Sequence, residues 1–158
     1  MLNSTTSIMG LLDDYSGTIG SPRPSWQHQL VIMRILHNMY DEVEGQGFII
    51  MTEATVTDDW DDLAPDLIVF DEHYNPQMII EITTHKELRA IMRKCKELIV
   101  RFLVAEYFVY DYERNILHRF APELNKWLSS DEYELFSVFL SEPVINYIVK
   151  DENCDIQY

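Results

Sequence analysis

Two carboxylates occupy the positions in this chain that most suggest chemistry. Glu81 stands inside "MIIEI", a run otherwise apolar enough to form a buried strand, and Asp66 follows Pro65 at the head of the preceding strand, "DLIVF". A charge taken into a strand core is costly unless it is paired or bound to a cation. Mg²⁺ accepts a few oxygen ligands and keeps several waters, so one or two carboxylates suffice for a site. If the two strands pair, Asp66 and Glu81 converge, and the carbonyl of Ile82 can add a third oxygen. A cation held there lowers the pKa of its water and polarises a phosphodiester. A neighbouring lysine would stabilise the charge that develops. The same residues also admit a purely structural account. Strand alternation puts Ile79, Glu81 and Thr83 on one face and Ile80 and Ile82 on the other. Glu81 could therefore meet solvent near the strand end or pair with an arginine, and Asp66 could bond turn amides. The residues alone leave both accounts open.

Cations are concentrated just downstream. Six of the twelve basic residues (Lys86, Arg89, Arg93, Lys94, Lys96, Arg101) fall between 86 and 101. Such a run reads as a solvated helix face, or as a phosphate-contacting helix beside the two acids; composition favours the former. Twelve basic residues face twenty-seven acidic ones, a formal net charge of −15. A chain so charged resists non-specific binding to polyanions, which weighs against DNA as a partner. Screening over about 8 Å at physiological salt leaves the local field to decide.

The elements that must position these groups follow from the hydrophobic pattern. With 158 residues, 47% apolar and 25% charged, the chain can bury a core as a single domain. Residues 1–24 lack periodicity and read as a loosely ordered lead-in to one domain over 25–158. From Ser25 the spacing predicts a helix with Leu30, Met33, Leu36, Met39, Tyr40 and Val43 as its apolar face, ended by "EGQG". "FIIMTEATVT", "DLIVF" and "QMIIEIT" predict three successive strands in a meander. Thr84 and Glu87 form an [ST]-x-x-E capping box. It opens a helix whose stripe is Leu88, Ile91, Cys95, Leu98 and Phe102. "AEYFVYDYERNILHRFAP" predicts two strands around "YERN", and "KWLSSDEYELFSVFL" with "PVINYIV" a β-rich C-terminal extension. The expected fold is α/β, a mixed central sheet flanked by helices. No apolar run approaches the roughly 20 residues that span a bilayer, and the N-terminus does not resemble a signal peptide. Cys95 and Cys154 fit neither a disulfide framework nor a zinc site, so a reducing cytoplasm is expected.

"PDLIVF", "IIEIT" and "AEYFVYD", in that order and at that spacing, together resemble the PD-(D/E)xK nuclease superfamily. The nearest likeness is to a family of small bacterial proteins labelled restriction endonucleases, many of unassigned function. The matching pieces are Pro65–Asp66, Glu81–Ile82–Thr83–Thr84 and Glu106–Tyr107–Phe108–Val109–Tyr110–Asp111. "SWQHQLVIMRIL" is similar to the family's first helix, which often carries a histidine near its start, here His28. The likeness spans roughly residues 24–140. It implies a restriction-endonuclease-like fold, Mg²⁺ or Mn²⁺ on Asp66, Glu81 and Ile82, and phosphodiester hydrolysis. Where the superfamily places its lysine this chain has Thr83. The family's migrated lysine falls on Cys95, and an aspartate four residues earlier falls on Ile91. Lys94 and Lys96 flank Cys95 but point about 100° to either side of it; a long stem can still snorkel. Lys86 at the helix start is a third substitute.

Other groups carry less. "DDWDD" lacks the EF-hand pattern and reads as an acidic loop. Glu53 is a possible third acid, His85 a helix-start residue rather than a base. No P-loop, G-x-S-x-G or G-x-G-x-x-G is present. The sequence therefore predicts a metal-dependent endonuclease using Asp66 and Glu81 with a lysine from 86, 94 or 96. The alternative is an inactive nuclease fold serving as a binding or scaffolding module. A homodimer built on the aromatic tail (Trp127, Tyr133, Phe136, Phe139, Tyr147) is compatible with either.

Overall fold

A computed structural model describes residues 25–56 and 64–149. The lead-in 1–24, the "DDWDD" loop and Cys154 lie outside them.

Helix α1 (Trp26–Gly45) starts at Ser25, whose hydroxyl accepts from the backbone N–H of His28 at 3.2 Å. That bond satisfies one of the free amides of the first turn. The buried face of α1 is Ile32, Ile35, Met39 and Val43, while Leu30, Met33 and Tyr40 are exposed. The expected stripe is thus rotated. The helix is apolar on two sides, and periodicity alone cannot choose the one that meets a sheet.

Strands β1 (Ile49–Thr52), β2 (Leu67–Phe70) and β3 (Pro76–Thr83) form the expected antiparallel meander. Helix α2 (Leu88–Phe102) carries the chain over to β4 (Glu106–Asp111), which pairs parallel to β3. Strands β5 (Ile116–Ala121) and β6 (Lys126–Ser129) add antiparallel ribbons, giving a six-stranded mixed sheet in the order β1 to β6. The parallel pair needs a long crossover, and α2 is that crossover.

The Thr84–Glu87 capping box does not form. Glu87 sits at the N-cap without a side-chain bond, and its backbone N–H donates to the Thr84 carbonyl at 3.2 Å. The chain spends residues 84–87 on a backbone-bonded turn, so the helix begins at Leu88. The C-terminal stretch also differs from its β reading. It supplies β6 and then a short helix α3 (Val144–Val149), with Val144, Tyr147 and Ile148 buried. The Asn38 side chain donates to the Tyr147 carbonyl at 2.7 Å. Pro143 pre-sets the helix entry, and packing on α1 outweighs the β preference of Val144, Ile145 and Val149.

Two apolar layers cover the sheet. Helices α1 and α3 close one face over Ile50, Leu67, Val69, Ile80, Ile82, Phe108 and Leu117. Helix α2 closes the other through Cys95 and Leu98, over Ile68, Ile79, Tyr107 and Val109. Of the aromatic tail, Phe139 and Tyr147 are buried in the first layer. They are core rather than interface, whereas Tyr133 and Phe136 remain exposed. No helix among the described residues is long and apolar enough to cross a membrane.

Candidate active site

The register of β2 and β3 opposes Leu67 and Ile80, so Asp66 and Glu81 are the next residues at the same end of the sheet. The Glu81 side chain faces the α2 layer, beside Lys94 and Tyr107, while that of Asp66 meets His28 at the start of α1. The backbone N–H of Asp66 donates to Glu81 Oε2 at 3.4 Å, and the backbone N–H of Ile82 donates to Asp66 Oδ2 at 2.7 Å. Asp66 is thereby locked across the strand pair, as the convergence of the two strands predicts.

Glu81 does not meet solvent: it is only 4% exposed. Burial is the main cause that lifts its carboxyl from the ordinary value of 4.5 to about 7. Lys94 opposes that rise and the Asp66 carboxylate adds to it. The Tyr107 hydroxyl donates to Glu81 Oε1 at 3.3 Å. Tyr107 is itself buried, and its hydroxyl stays neutral because burial pushes its pKa upward.

Lys94 is the lysine that reaches the site. Its Nζ lies 3.5 Å from Glu81 Oε1, with 29% of its side chain exposed. That is an ion-pair contact, longer than the 2.7–2.9 Å of a tight charge-assisted hydrogen bond. Helical side chains lean toward the helix N-terminus, and a four-carbon stem spans the remaining angle. Cys95, on α2, is fully buried against the sheet, with its thiol pushed up mainly by burial. Ile91 packs on the same layer, and Thr83 is buried at the strand end. Lys96 lies elsewhere, its Nζ 5.5 Å from the centroid of Phe120. Lys86 is exposed in the turn before α2.

The structure adds His28, which the sequence offered only as part of a helix motif. Its Nε2 is 3.2 Å from both Asp66 Oδ2 and the Ile82 carbonyl. The hydrogen bond to Asp66 is the main cause that raises its pKa; burial works against it. Glu53, in left-handed backbone, accepts from the Gln29 side chain at 3.2 Å, and its N–H donates to the Asp66 carbonyl at 3.1 Å. It lines the outer edge of the same corner. His85 is held at the turn by Glu113 through its backbone N–H and by the buried Asp111 carboxylate, 3.2 Å from Nδ1.

No three His, Cys, Asp or Glu side chains among the described residues form a metal-binding group. The donor set nonetheless suits Mg²⁺ or Mn²⁺, which need only one or two carboxylates, a carbonyl and water. Asp66, Glu81 and the Ile82 carbonyl are hard oxygens in one corner. The strained ionisation of Glu81 is one that a cation would relieve.

No family model matches the chain, and no curated protein matches it in sequence. A solved structure does match in fold. It is the crystal structure of "a putative nuclease belonging to DUF820" from Anabaena variabilis. The TM-score is 0.64 at 15% identity, over 80% of this chain and 83% of that one. At this identity the likeness is one of fold: a mixed sheet of the same architecture with helices against it.

Proposed function

We propose that this chain is a metal-dependent endonuclease of the PD-(D/E)xK kind, hydrolysing nucleic-acid phosphodiesters with Lys94 in the role of the superfamily lysine. The observation that carries the reading is the ammonium of Lys94 on Glu81, in a corner where Asp66 is locked to the same strand pair. The fold shared with a protein titled as a nuclease supports it.

In this reading Asp66, Glu81 and the Ile82 carbonyl would hold Mg²⁺ or Mn²⁺. When bound, the ion supplies a more acidic water and charge for the phosphodiester. His28 holds Asp66 through Nε2, and Tyr107 holds Glu81, so both carboxylates are oriented before substrate arrives. Lys94 is partly exposed and can turn from Glu81 to a non-bridging phosphate oxygen as negative charge builds. Lys96 and Lys86 are assigned no part in the bond-breaking step. A reducing cytoplasm suits the buried free thiol of Cys95.

The rival reading, an inactive fold kept as a binding or scaffolding module, rests on Thr83 and Cys95 in the usual lysine positions. Against it stands Lys94, which reaches Glu81 from the residue just before Cys95.

The test is a cleavage assay on mixed single- and double-stranded DNA with Mg²⁺ or Mn²⁺, running wild type beside Glu81→Gln and Asp66→Asn. Metal-dependent cleavage lost in both variants is expected. Cleavage that survives Glu81→Gln would sink the assignment.

A further inference from the structure

On the flank of α2 turned more than a third of a turn from Lys94, a groove of about 420 Å³ is lined by Arg89, Met92, Arg93, Lys96 and Trp127. Two features separate it from an ordinary solvated helix face. The first is unspent charge. Arg89, Arg93 and Lys96 stand at i, i+4 and i+7, on one side of the helix. None of them makes an ion pair among the described residues. Glu97 stands at i+4 from Arg93, within helical reach of it, yet no ion pair forms between them. Three uncompensated cations side by side are unusual in a chain of net charge −15.

The second feature is an aromatic wall. Trp127, half-buried on β6, packs on Phe120 with ring centroids 5.3 Å apart and planes tilted by 56°. Lys96 Nζ lies over the same Phe120 ring at 5.5 Å. Phe120 thus backs both the indole and the ammonium, and Trp127 and Met92 offer apolar surface to the groove.

At 1.5 Å per residue, Arg89 to Lys96 covers roughly 10 Å, long enough for the three cations to meet neighbouring phosphates of one strand. A duplex keeps its base faces inside the stack. A single strand exposes them, and proteins that bind single strands combine a basic groove with an aromatic platform.

We propose that this groove binds single-stranded DNA, with successive phosphates along Arg89, Arg93 and Lys96 and a base against Trp127. Lys86, exposed in the turn between β3 and α2, adds a further cation just before the helix. The choice of DNA rests on the nuclease reading; the groove and its chemistry do not.

The test is binding, measured in EDTA so that it stands apart from cleavage. Labelled oligo-dT, a duplex of equal length, oligo-U and poly-Glu are titrated against wild type, Arg93→Gln/Lys96→Gln and Trp127→Leu. Oligo-dT is expected to bind best, with log K falling against log salt at a slope of about −2 for three contacts. The double variant should flatten that slope by about 1.4. Trp127→Leu should weaken binding roughly five- to a hundredfold and leave the slope in place. Arg93 and Lys96 are exposed, so the double variant tests the groove without endangering the fold. A duplex, oligo-U or poly-Glu bound as tightly as oligo-dT would overturn the assignment, as would an unchanged slope in the double variant. Cleavage could fail while this binding holds, or the reverse, so the two proposals fall separately.

Discussion

Replacing Glu81 by glutamine should stabilise the metal-free protein at alkaline pH and leave it nearly unchanged at acid pH. An acid whose folded pKa is raised binds more protons folded than unfolded between the two values. Its stabilising contribution is full below 4.5 and is lost as pH rises to about 7. At roughly 1.4 kcal/mol per pH unit, that window amounts to about 3 kcal/mol. Glutamine copies the protonated carboxyl: one oxygen to accept from Tyr107, and one donor group facing the Asp66 amide. That donor conflict, worth about 1 kcal/mol, is present in the variant at every pH and in wild type at low pH. It therefore cancels when the variant-minus-wild-type difference at pH 8 is compared with that at pH 5. His28 also favours acid conditions, because its raised pKa gives stability below 6.5 that is lost as pH climbs through the folded value. Both proteins carry it, so it too drops out. Thermal unfolding in EDTA should show the difference between the proteins shifting by roughly 6–12 °C between pH 5 and pH 8, at about 2–4 °C per kcal/mol for a chain of this size. Equal differences at the two pH values would refute the buried, strained carboxylate.

Two further outcomes follow from the same corner. Mg²⁺ or Mn²⁺ at about a hundred times its dissociation constant should stabilise wild type at pH 8 by about 2.7 kcal/mol. The gain should vanish in Asp66→Asn and Glu81→Gln, as read by melting temperature against metal concentration. Tyr107→Phe removes one hydrogen bond to Glu81, so it should cost about 1 kcal/mol and push the Glu81 carboxyl further up. A melting profile whose acid-side maximum stays where wild type has it would contradict that role.

The carboxylates were legible because each breaks a pattern: Glu81 is a lone acid in an apolar strand, and Asp66 follows a proline that marks the strand head. Pairing of the two strands needed only the short turn between them. Lys94 was one of three candidates because helical geometry gives a direction for the Cα–Cβ bond and not for the end of a long stem. His28 reaches Asp66 across 38 residues, a tertiary contact with no local signature, and Tyr107 looks like any core aromatic in "EYFVYD". Where the reading of elements went astray, local preference lost to packing. Helix α1 had two apolar sides and buried Ile32 and Ile35 rather than Leu30 and Met33. The β-branched "PVINYIV" became a helix because α1 offered a surface for Val144, Tyr147 and Ile148.

The most direct test of the central claim is the single-turnover rate of metal-dependent DNA cleavage by Lys94→Met beside Lys96→Met. With Lys94 as the charge-stabilising group, Lys94→Met should lose at least about a hundredfold in rate, the scale seen when one transition-state donor is removed. Lys96→Met should keep the wild-type rate at saturating DNA and weaken only binding. A Lys94→Met rate equal to wild type, or a rate lost in Lys96→Met alone, would contradict the account.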